Sequence, residues 1–102
     1  MLGATSSAAA QGSLFLRGAR AYAEGRYADA AMMFSDAYAA DQDPTYLVHL
    51  GRALEGAGDP EGALEVYTSW LELEPDAPER AEIEAAVERL WVEIAAAAHG
   101  EG

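Results

Sequence analysis

Residues 47–67 read LVHLGRALEGAGDPEGALEVY and residues 14–34 read LFLRGARAYAEGRYADAAMMF, and the two stretches keep step at a shift of 33 positions. Leu14 falls on Leu47, Gly18 on Gly51, Gly25 on Gly58, Ala30 on Ala63 and Phe34 on Tyr67. Single coincidences are common in a chain with 24 alanines. Two glycines seven apart, then an alanine, then an aromatic four further on, twice in step, mark an internal repeat about one helical hairpin long.

Working outward, the punctuation agrees. Asp43-Pro44 and Asp59-Pro60 each set an N-cap acceptor before a proline suited to the first helical position, and Asp76 with Glu79 forms a capping-box pair. Apolar residues between these marks recur at helical spacing: Tyr46, Leu47, Leu50 and Leu54; Leu64, Tyr67 and Leu71; Ile83, Val87, Leu90 and Ile94. Gly25 and Gly58 stand where tight helix-to-helix turns want a residue free to take positive φ. The spacing predicts helices over 12–24, 27–40, 44–57, 60–73 and 77–98, with no strand, flanked by tails at 1–11 and 99–102. The fold class is therefore all-α: tandem antiparallel hairpins, one over about 12–42 and one over about 44–75, closed by a capping helix.

Composition sets the outer limits. A chain of 102 residues and 10.8 kDa has room for one domain and an economical core. Alanine, the best helix former and a poor core filler, makes up nearly half of the apolar residues. The net charge is −12, divided as −2 over residues 1–51 and −10 over 52–102, with six arginines and no lysine. Such a surface has no basic stripe for phosphates and repels anionic membranes, so nucleic acid and membrane drop out as partners. With no cysteine, disulfides, thiol nucleophiles and cysteine zinc sites are excluded, and the redox compartment stays open. Residues 1–11 lack the basic and apolar regions of a signal peptide, which leaves a tail or a truncated export segment. Location defaults to the cytoplasm, with the periplasm as the alternative if the true N-terminus lies further upstream. The bias toward alanine and arginine over lysine suggests a GC-rich bacterial source.

The repeat resembles the tetratricopeptide repeat, whose pattern carries large apolar, leucine and glycine positions in its first helix, glycine-x-aromatic at the turn, and alanine, aromatic and alanine in its second. Leu14, Gly18, Gly25, Tyr27, Ala30, Phe34 and Ala37 match in the first copy; Leu47, Leu50, Gly51, Gly58, Ala63, Tyr67 and the closing Pro75 match in the second. The resemblance covers about residues 12–75, and 77–98 is similar to the helix that caps such arrays. It implies right-handed superhelical stacking. Departures are Arg17 for a leucine, Gln42 for the closing proline, Pro60 for the turn aromatic and Trp70 for a small alanine. A tryptophan there fits only if the last helix packs further out, against Val87, Leu90 or Trp91.

No constellation carries chemistry. His49 and His99 have neither a positioned nucleophile nor converging metal ligands, the acid pairs Glu84/Glu88 and Glu72/Glu74 lack a calcium loop, and the glycines at 51, 56 and 58 lack the lysine and hydroxyl of a phosphate loop. Neither a catalytic site, a metal nor a cofactor is expected. What the resemblance implies instead is a concave groove lined by the first helix of each hairpin, at Phe15, Leu16, Ala19, Tyr22, Val48, His49, Arg52 and Glu55. Phe15 and Leu16 have a second reading, as packing beneath the N-terminal tail. The carboxylate-clamping version of the family needs lysine and asparagine, and this chain has neither. The expectation is a non-catalytic module that binds an apolar or basic segment of a protein partner. The runner-up is self-association, a homodimer formed through exposed Trp70 and Trp91 on the capping side; a small helical enzyme is a remote third.

Overall fold

The computed structural model describes residues 3–100, with side chains from residue 13 onward. Among these described residues five helices follow one another: α1 (Gly3–Ala23), α2 (Tyr27–Asp41), α3 (Thr45–Gly56), α4 (Pro60–Leu73) and α5 (Arg80–Gly100). Each packs on its neighbours in the chain, giving an elongated body of 59 × 31 × 19 Å, and no strand occurs among the described residues. Two boundaries differ from the sequence expectation by more than two residues. The α1 backbone starts at Gly3 rather than near residue 12, because the alanine-rich stretch before Gly12 favours helix and contains no proline to stop one.

The start of α5 moves the other way. Asp76 and Glu79 make no capping box: Pro78 keeps Ala77 out of the helical region, the Arg80 N–H donates to the Ala77 carbonyl, and the regular helix begins at Arg80. The Arg80 side chain turns back to the end of α4, donating to the carbonyls of Leu71 and Pro75 while its Nε meets Glu84 at 2.9 Å. Of the other two marked starts, α4 is capped as expected by Asp59, whereas α3 begins at Thr45 with Pro44, not Asp43, as its N-cap residue and without a side-chain cap. Asp59 accepts the Gly62 N–H at 3.0 Å ahead of Pro60, and Asp43 accepts the Thr45 N–H at 3.0 Å across Pro44.

The two glycine turns are built alike. Gly25 and Gly58 take φ of 79° and 83°; the Arg26 N–H closes on the Ala21 carbonyl, and the Asp59 N–H on that of Leu54. The repeat also recurs in packing. Phe34 lies over Gly18, where an added Cβ would stand 2.8 Å from the ring, and Tyr67 lies over Gly51 in still closer contact. Ala30 and Ala63 are fully buried at the matching crossings. One core cluster gathers Ala21, Ala30, Ala31, Phe34 and Ala53, the other Leu47, Ala63, Tyr67, Trp70, Ile83 and Leu90; Leu50 and Leu54 of α3 pack against both.

Trp70 corrects one expectation. It is only 4 % exposed, enclosed with Ile83 and Leu90 and flanked by Val87, so it is core and not a surface for self-association. The position answers to the buried Ala37 one repeat earlier, and the larger ring is accommodated because α5 closes over it. Trp91, on the same helix, stays 58 % exposed.

Candidate functional site

The short turns at Gly25 and Gly58 set α1, α3 and α5 in sequence along one side of the molecule. Clefts open there among the described residues, and Arg52 borders the three that follow. The first, about 260 Å³, lies between α1 and α3 and is lined by Ala19, Tyr22, Phe34, His49 and Arg52. A second, about 420 Å³, lies between α3 and the α4–α5 connection; Val48, His49, Arg52 and Trp70 face it, with Asp43, Glu74 and Glu79 among its polar residues. The third, about 380 Å³, runs between α3 and α5 past Glu55, Tyr67, Glu82 and Arg89.

The residues named from sequence divide accordingly. Ala19, Tyr22, Val48, His49 and Arg52 come together at the first two clefts. Phe15 is half-buried in an aromatic cluster that joins the hairpins: its ring meets His49 edge-on at 5.0 Å and stands 5.7 Å from both Phe34 and Tyr46. Leu16, 67 % exposed, lines neither cleft. Glu55 lies in the third cleft with its oxygens engaged, one accepting the Tyr67 hydroxyl at 2.7 Å and the other meeting Arg89 at 2.8 Å. It works as a strut joining α3, α4 and α5.

Electrostatics follow from these contacts. Burial acts to raise the Glu55 carboxyl, but the hydrogen bonds from Arg89 and Tyr67 and the charges of Arg89 and Arg52 outweigh it and hold the group below its ordinary range. The Tyr67 hydroxyl is pushed well up, first by burial and then by donating to Glu55. Burial, aided by the Arg52 charge, lowers the His49 pKa, so its ring is neutral near pH 7. Arg52 itself pairs with Glu82 at 3.2 Å. Among the described residues no group of three or more metal-ligating side chains converges, and no helix is long and apolar enough to cross a membrane.

Phe34 and Tyr46 were read from the sequence only as packing residues, and Glu82 and Arg89 were not singled out at all. A signal existed for α5: a second application of the 33-residue shift puts Ile83, Ala86 and Val87 on Leu50, Ala53 and Leu54, so α5 stands as one more first helix. The Arg52–Glu82 and Glu55–Arg89 pairings had no such signal, because they depend on how closely α5 approaches α3. A comparison with curated proteins finds no match. A family model described as tetratricopeptide repeat matches residues 21–89, spanning both glycine turns and running well into α5. With the family's glycine, alanine and aromatic positions packed alike in two successive hairpins, this chain belongs to the tetratricopeptide repeat family.

Proposed function

We propose that the chain is a protein-interaction module without catalytic chemistry, holding an apolar or basic segment of a partner protein against the concave side of α1, α3 and α5. Repeats of this family generally mediate protein–protein interactions and are typically non-catalytic. The observation that carries the reading is the meeting of the first two clefts at His49 and Arg52, with Tyr22 at one side and Val48 at the other. Tyrosine and arginine are residue types that commonly anchor interfaces, and the net charge of −12 favours approach by a cationic segment.

The test is a titration of the isotope-labelled chain with two blocked peptides, one alternating leucine with arginine and the other leucine with glutamate. The cationic peptide should shift the backbone amides of Tyr22, His49 and Arg52, and Tyr22→Ala should weaken it. Equal response to the acidic peptide, or shifts confined to the outer faces of α2 and α4, would sink the reading.

Self-association is the second reading, favoured by adjacent exposed Trp91 and Val92 on α5. Sedimentation equilibrium on the parent chain and a Trp91→Glu variant separates the two. A mass near 10.8 kDa at every concentration leaves the groove as the functional surface. A concentration-dependent dimer abolished by the new charge makes it α5.

A further inference from the structure

The two clefts that share His49 and Arg52 have unlike linings. The smaller is walled by the rings of Phe34 and Tyr22 and by Ala19, a size and character suited to one branched or aromatic side chain. The larger has apolar walls from Val48, Trp70 and Pro78, with Asp43, Glu74 and Glu79 among its lining residues. Of the four charged residues lining it, two are already engaged. Asp43 accepts the Thr45 N–H, and Arg52, the only cation among the described residues lining this cleft, is paired with Glu82. Glu74 and Glu79 have no ion-pair partner among the described residues.

We infer that the larger cleft anchors a single arginine or lysine side chain of the partner segment while a nearby apolar residue of that segment fills the smaller one. The inference rests on the groove reading above and adds to it a two-residue signature. A long basic side chain suits this lining because its aliphatic stem can lie along Val48, Trp70 and Pro78 while its head meets the carboxylates of Glu74 and Glu79. A carboxylate would face the same two acids with only the already paired Arg52 to offset them. The neutral His49 ring between the clefts adds no opposing charge near pH 7.

The experiment uses the full chain and a set of blocked, fluorescent glycine-serine peptides carrying one leucine and one arginine at varied separation, with citrulline replacing arginine as the uncharged control. At the best separation, citrulline should weaken binding about fivefold, as expected for one partly exposed charge pair. A Glu74→Gln/Glu79→Gln chain should bind both peptides alike. A Glu61→Gln/Glu65→Gln chain, which removes the same charge from exposed positions of α4, should keep the fivefold preference. The inference is overturned if the parent chain ignores the citrulline exchange, or if the Glu61/Glu65 variant loses as much discrimination as the Glu74/Glu79 variant. If leucine-dependent binding persists at Tyr22 without an arginine preference, the inference fails and the groove reading stands. If no peptide of the set shifts Tyr22, His49 or Arg52, both fail.

Discussion

Gly51 carries no side chain because the Tyr67 ring occupies the place where a Cβ would be. Gly58 carries none for another reason: nothing lies near its would-be Cβ, but its φ is 83°. The two alanine substitutions should therefore fail differently. Gly51→Ala overpacks the α3–α4 crossing and should destabilise by about 1–3 kcal/mol, whereas Gly58→Ala forces a left-handed conformation and should cost about 1–2 kcal/mol. Urea denaturation in a Tyr67→Leu background separates them: the smaller partner should relieve much of the first penalty and none of the second. Equal relief of both would show that Tyr67 packing does not explain Gly51. His49 gives a pH test at the same scale. Its folded pKa lies below the ordinary 6.5 because burial and Arg52 disfavour the protonated ring, so on acidification the unfolded chain takes up the proton first. Its contribution is present above 6.5 and is lost as the pH falls below that value toward the folded pKa. The urea midpoint of the parent should fall between pH 7 and about 5, and His49→Gln should flatten that slope. An unchanged slope would remove His49 as its source.

At the scale of the element, what decides a position is which helix comes next. The 33-residue shift puts Glu84 on Gly51 and Gly18, yet an exposed glutamate is tolerated there because no aromatic of a following second helix closes over α5 among the described residues. This difference explains what could be read in advance. Helix order, both glycine turns and the cap at Asp59 were legible because each is a local arrangement written in adjacent residues. The Asp76–Glu79 cap was misread because Pro78 restrains the residue before it, an effect that outweighs the attraction of the capping pattern. The packing of Trp70 against Val87 and Leu90 was legible from its size at a small-residue position, though its exposure was misjudged; the half-buried state of Phe15 in an aromatic cluster and the Glu55–Arg89 strut were not legible, since each depends on the distance between helices distant in sequence. Capping offers a direct check. Asp59→Ala should cost about 0.5–2 kcal/mol in thermal or urea melts by leaving the first turn of α4 without its acceptor. Asp59→Asn should recover most of that loss. If Asn and Ala are equally damaging, the Gly62 N–H contact is not what the carboxylate supplies.

Over the whole molecule, stability is assembled from contacts between successive helices, with Leu50 and Leu54 the link between the two core clusters. The charge of −12 works against compactness everywhere at once, and most strongly in the −10 half. Raising salt to about 0.5 M should therefore raise the melting temperature despite weakening exposed pairs such as Arg26–Glu24, since screening reduces the excess of like charge. The chain-neighbour arrangement makes a sharper claim about cooperativity. Leu90 is buried against Trp70 and Ile83, at the end of the array and far from Ala21 and Ala31. Leu90→Ala should remove about 2–5 kcal/mol from that junction. In a linear array the loss should open the α4–α5 end before the first hairpin, so native-state hydrogen exchange should lose protection at Ile83 to Ile94 first, while Phe34 and Ala53 keep theirs. Uniform loss across all five helices would mean that the α3 link transmits the damage throughout, and that two hairpins and α5 unfold as one unit rather than as stacked repeats.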